Sequence, residues 1–132
     1  MMTVLATSFR TPAPTERAAP LRAPPVLTPI TAVAARLGVT SRALRHYEAI
    51  GLISSHRGKR DLRLYDRDTV AVLETVSLLR RIDVPIAEIR AVMLRRQDQQ
   101  SYRQALHDLL RATLLEHRRR VDLIEGLMEQ LG

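Results

Sequence analysis

The side chains able to do chemistry in this chain are mostly arginines. Of its 21 cationic side chains, 20 are Arg and only Lys59 is Lys, against 14 carboxylates, so the formal charge is +7. Cysteine is absent, which removes disulfides, thiolate metal sites, iron–sulfur ligation and a Cys nucleophile. There is no phosphate-binding Gly-rich loop, no metal motif and no Ser/His/Asp set at a useful spacing, so an enzyme is not expected. His107 and His117 stand ten residues apart with no carboxylate completing an obvious shared site; no metal and no cofactor are expected. What remains is cationic chemistry, and it is localised. Residues 30–67 carry eight cations against three carboxylates, a net +5. Residues 1–29 carry +2, while 68–100 and 101–132 each balance at zero. A basic block joined to a neutral half suggests that one part meets an anion and the other does something else.

The elements that must position this block can be read from local pattern. Residues 1–29 hold six of the seven prolines among Ala, Thr and Arg. They read as a disordered arm, because proline removes backbone donors and too little apolar surface clusters there. Arg10, Arg17 and Arg22 could let it touch phosphates; a targeting peptide is the other alternative to a bare tail. Ile30, Val33, Ala34 and Leu37 recur at helical spacing, and Gly38 stops that helix. Thr40 or Ser41 caps a second helix reaching about Ile50, with Leu44, Tyr47 and Ile50 facing in, before Gly51. Leu52-Ile53 and Leu62–Tyr65 read as two strands around a polar loop with Arg57, Lys59 and Arg60. Asp66 caps a third helix over about 67–82, Asp83-Val84 breaks it, and Pro85 opens a fourth. Arg95 to Gln100 reads as a linker.

The last segment, Ser101 to Leu131, lacks proline. Leu110, Leu114, His117, Val121, Ile124, Met128 and Leu131 are spaced 4, 3, 4, 3, 4, 3. That is the seam of a coiled coil, with His117 as a polar register-setting position. Thirty-one helical residues make a rod of roughly 46 Å, too long to be covered by the preceding domain, so a second chain is expected on the seam. Folding back onto its own domain is the alternative.

Residues 30–50 fit a helix-turn-helix, in which the second helix stands proud enough to enter a DNA major groove. The run Val39-Thr40-Ser41-Arg42-Ala43-Leu44-Arg45-His46-Tyr47-Glu48-Ala49-Ile50-Gly51-Leu52-Ile53 resembles the signature of the MerR family of bacterial transcription regulators, G-V-S-x-x-T-L-R-Y-Y-E-x-I-G-L-L. Leu62-Arg63-Leu64-Tyr65 is similar to the family's Y-R-x-Y, and Pro85–Ile89 to its S-L-x-E-I. The resemblance covers about residues 28–96. It implies a mainly α fold: a winged helix-turn-helix with a two-stranded β wing, two further helices and a long C-terminal coiled-coil helix that dimerises antiparallel. The expected division is an arm at 1–29, a DNA-binding domain at 30–96 and a dimerisation helix at 101–131, a short form without an effector domain. The implied function is a homodimeric regulator that binds a palindrome in a promoter and distorts it, with double-stranded DNA, itself and RNA polymerase as partners, no membrane, and the bacterial nucleoid in the cytoplasm as its place. An architectural, excisionase-like DNA-bending factor is the alternative.

Carried over residue by residue, the resemblance puts Ser41 and Arg42 against base edges, and Arg45 and Tyr47 against phosphate, with Tyr47 as readily a core residue. His46 and Tyr65 occupy family Tyr positions in the same DNA-contacting set. Arg57, Lys59, Arg60 and Arg63 would reach flanking phosphates or the minor groove. The chain departs from the pattern at Ala43, His46, Asp61 and Leu62, and Asp61 is placed to screen one wing arginine.

Overall fold

The computed structural model describes residues 26–132; most of the expected arm therefore lies outside the described residues. The first helix, α1 (Ile30–Leu37), buries Ile30, Val33 and Ala34 and ends where Gly38 adopts φ +68. That left-handed conformation costs glycine nothing. The second, α2 (Ser41–Ala49), starts under Thr40, whose hydroxyl accepts the Ala43 N–H at 3.0 Å. Leu44 is its one fully buried residue, with Tyr47 and Ile50 packed partly against the same core. Asp66 caps α3 (Arg67–Arg81) by accepting the Thr69 N–H at 2.8 Å. Asp83, at φ +66, turns the chain into α4 (Ile86–Met93).

Three details differ from the sequence reading. The wing sheet has three strands, not two: β1 (Thr28–Pro29) pairs antiparallel with the central β3 (Arg63–Tyr65), and β2 (His56–Arg57) lies on the other side. Thr28 and Pro29 therefore belong to the sheet and not to the arm. Pro29 is tolerated because β1 is an edge strand. Leu52 and Ile53, expected as a strand, are instead consecutive buried residues ahead of the ladder. Two adjacent inward side chains do not suit a two-residue alternation. Lastly, α5 (Gln99–Leu131) begins two residues early, because the Asp98 carboxylate accepts the N–H groups of Gln100 and Ser101.

One core joins these elements. Val70, Val72, Leu73, Val76 and Leu79 of α3 meet Val33 and Leu44 of the helix-turn-helix and Ile89, Val92 and Met93 of α4. Only the start of α5 joins in, through Leu109 with Tyr102, Ala105 and Leu106 alongside. Beyond it the helix carries exposed Leu114, Leu115, Val121, Leu123, Ile124, Leu127, Met128 and Leu131.

Candidate nucleic-acid interface

With Leu44 anchored, the helical repeat leaves Arg42, Arg45 and His46 exposed on α2, and Ser41 half-buried at its first turn. The start of a helix exposes unpaired N–H groups and the positive end of its dipole, both favourable to anions. Tyr47 is half-buried and leans on the core, so it serves packing whatever else it touches.

The wing adds His56, Arg57, Lys59 and Arg60, all exposed. Its tip is a tight turn, Lys59–Asp61, closed by the Gly58 N–H donating to the Leu62 carbonyl at 2.8 Å. Arg60 and Asp61 both take left-handed backbone, at φ +58 and +61, a conformation that glycine adopts far more readily than other residues. The Asp61 carboxylate meets Arg57 Nη1 at 2.9 Å. The arginine screened at the wing is thus Arg57, while Arg60 and Lys59 carry no ion pair among the described residues.

Two wing residues expected against DNA are placed otherwise. Tyr65 is entirely buried, and its hydroxyl has no hydrogen-bond partner among the described residues. Burial pushes its pKa up, helped by the nearby Glu48 carboxylate. A side chain at the centre of the core offers no surface to a phosphate, so Tyr65 is a packing residue in this conformation. Arg63 is largely enclosed, and its Nε donates to Glu48 Oε1 at 3.1 Å. That contact ties the wing to the last turn of α2.

Sequence reasoning passed over three residues that hold this surface together: Glu48, Arg90 and His56. Glu48 was visible only as part of the family signature. Arg90 on α4 donates from Nε to the Ile50 carbonyl at 2.7 Å, across 40 residues of chain. His56 Nε2 lies 3.3 Å from Asp66 Oδ2, joining β2 to the cap of α3. The Asp66 carboxyl is held below its ordinary pKa, first by the Thr69 backbone N–H and then by the Thr69 hydroxyl, with His56 adding to the effect. The Arg63–Glu48, Arg90–Ile50 and His56–Asp66 pairings have no local sequence signature.

On α5, the seam residues Leu110, Leu114, Val121, Ile124, Met128 and Leu131 are exposed, and His117 is half-buried. His117 borders a crevice of about 250 Å³ with Asp83, Glu88, Glu116 and Arg120. Arg120 Nη1 lies 3.7 Å from the Asp83 carboxylate. Leu115, Leu123 and Leu127, outside the expected seam, widen the exposed apolar strip. Among the described residues no three His, Asp or Glu side chains gather as a metal site, and no helix is long and apolar enough to cross a membrane.

Comparison with known proteins places this geometry. The pattern of the MerR HTH family of regulatory proteins matches residues 28–96, from β1 through the end of α4. Nodulation protein NolA of Bradyrhizobium is 34% identical over 100 residues, covering 75% of this chain but only 38% of NolA. A MerR-family transcriptional regulator from Bacillus cereus superimposes with a TM-score of 0.59 at 25% identity, over 79% of each chain. HiNmlR, a MerR-family regulator that lacks the sensor domain and was crystallised bound to promoter DNA, shares the fold with a TM-score of 0.54 at 17% identity, over 76% of this chain and 82% of its own. The family is one of regulators and not of enzymes. With its pattern spanning the helix-turn-helix, the wing and both following helices, this chain belongs to the MerR family of helix-turn-helix regulatory proteins.

Proposed function

We propose that the chain acts as a homodimer that binds a palindromic site within a promoter and distorts the duplex there. The observation that carries this reading is the joint exposure of Arg42, Arg45 and His46 on α2 and of Arg57, Lys59 and Arg60 on the wing, in a segment whose net charge is +5. Ser41 and Arg42 open the recognition helix and read base edges. Arg45 and His46, with the wing cations, bind phosphate and set the register. The expected division into a domain at 30–96 and a dimerisation helix at 101–131 is retained, with β1 added to the domain.

Dimerisation is supported by the exposed apolar strip of α5. A run of Leu110, Leu114, Val121, Ile124 and Met128 left in water is unfavourable for a monomer, and its heptad spacing suits a second helix. Charge favours the antiparallel arrangement. The stretch after Arg120 carries Asp122, Glu125 and Glu129 and no cation, whereas the first half of the seam carries Arg111, Arg118, Arg119 and Arg120 against Glu116 alone. An antiparallel partner brings these opposite charges together, and a parallel one stacks like on like. Two copies then present two recognition helices related by a two-fold axis, matching a palindrome. RNA polymerase is the partner such a promoter-bound dimer would act on.

The test is selection from a random-sequence duplex pool with the full chain, followed by footprinting and a circular-permutation bending assay on the enriched site. Two inverted half-sites and a bend are expected. Enrichment of a single asymmetric half-site bound by monomer would overturn the proposal and favour an architectural accessory role.

A further inference from the structure

The last turn of the recognition helix is gripped from two sides. Arg63 of β3 holds Glu48, with Nε 3.1 Å from Oε1 and both side chains mostly enclosed. Arg90 of α4 holds the carbonyl of Ile50, the residue that ends α2, at 2.7 Å. The backbone N–H groups of Gly51 and Leu52 are already satisfied by the Glu48 and Tyr47 carbonyls. A guanidinium at a helix C-terminus meets the negative end of the helix dipole, so the Arg90 contact is both a charge-assisted hydrogen bond and a dipole interaction. Gly51 turns the chain immediately afterwards at φ +79, and a Cβ there would stand 3.7 Å from the Arg90 guanidinium. The close approach of α4 to this turn is therefore part of the packing.

The two arginines belong to elements with different attachments. β3 is the central strand of the wing. α4 is packed on α3 and on the start of α5, with Ile89, Val92 and Met93 buried between them. α4 therefore stands between the α5 rod and the end of α2, and Arg90 is where it is hydrogen-bonded to that end. Within α2 only Leu44 is fully buried, with Tyr47 and Ile50 leaning partly on the same core, so the setting of the helix also depends on the polar contacts made at its end.

From this we infer that Arg90 is a positioning residue for DNA recognition: it couples the setting of the α5 rod to the angle of the recognition helix, and so makes site preference depend on the spacing of the two half-sites. The inference rests on the DNA-binding reading above. Arg90 touches no base in this role, and it acts through Ile50 on the helix that carries Arg42 and Arg45.

The experiment uses the full chain, the duplex that the wild type enriches from a random pool, a scrambled duplex, and versions of the enriched duplex with one base pair added or removed between half-sites. Arg90→Met keeps the apolar stem and removes the donors; Arg90→Lys retains a charged donor. For Arg90→Met the preference for the enriched over the scrambled duplex should fall about three- to tenfold, the range of a charged hydrogen bond at a solvent-exposed site. Discrimination against altered spacing should fall with it, while affinity for the scrambled duplex and the thermal midpoint stay near wild type. Arg90→Lys should recover part of both preferences. Unchanged preferences in Arg90→Met would overturn the inference. So would equal loss on every duplex, which would make Arg90 a phosphate contact, or loss of cooperative melting, which would make it a stability residue. A wild type that enriches no sequence would instead refute the DNA-recognition reading itself.

Discussion

Arg63 tests whether the wing is read correctly, because family resemblance points it at DNA and the structure points it at Glu48. The two side chains are 27% and 22% exposed, with Nε 3.1 Å from Oε1. Unit charges at that distance attract by about 5 kcal/mol at an effective dielectric near 20. Desolvation and side-chain ordering take back most of this, leaving a net ~1–2 kcal/mol for a partly enclosed pair. A double-mutant cycle with Arg63→Met and Glu48→Gln should therefore give a coupling energy of ~1–2 kcal/mol. For a chain of this size that corresponds to a urea midpoint lower by roughly 0.5–1 M for Arg63→Met. The second readout is salt dependence. A lost phosphate contact would flatten the log–log plot of affinity against salt by ~0.9, so an arginine occupied by Glu48 should leave that slope unchanged. A coupling energy near zero together with a slope reduced by ~0.9 would refute this placement and return Arg63 to the phosphate track.

Neutralising Arg57, Lys59 and Arg60 together should weaken binding to all duplexes alike and flatten the slope, less from Arg57 because Asp61 already holds it, while Arg42→Ala should cost ~1–3 kcal/mol at one base pair of each half-site; quantitative binding to matched and scrambled duplexes separates the two. Charged residues at both Leu114 and Val121 should give a monomer with weak DNA binding, and sedimentation showing an unchanged dimer would defeat the seam. Tyr65→Phe removes a buried hydroxyl that has no partner among the described residues, so denaturant unfolding should show equal or greater stability, by up to about 1 kcal/mol; a marked loss of DNA affinity would show that the hydroxyl is used after all. Asp66→Ala should cost about 1 kcal/mol as a lost N-cap. Because the folded carboxyl titrates below its ordinary value of 3.8, the wild type's advantage over this variant should be full above about pH 4 and shrink as the pH falls further, measured by thermal melts across that range.

Local chemistry was enough to reveal the helix-turn-helix, its caps and the long apolar seam. Ile30, Val33, Ala34 and Leu37 declare α1 by spacing, Gly38 ends it by the one backbone conformation it adopts cheaply, and Thr40 and Asp66 mark helix starts by the N–H groups they accept. All of these act within a few residues of chain, the range over which sequence pattern speaks. The basic block, too, was legible as charge. What only the tertiary structure decided are the pairings between distant elements. Thr28 and Pro29 look like arm until β3 offers them a ladder. Tyr65 sits among wing cations in sequence, yet the sheet turns it into the core. Arg63 and Arg90 are two exposed-looking arginines among many until folding brings one to Glu48 and the other to the end of the recognition helix. A cation's partner is set by which carboxylate or carbonyl the assembled fold brings within about 3 Å, and that distance exists nowhere in the sequence.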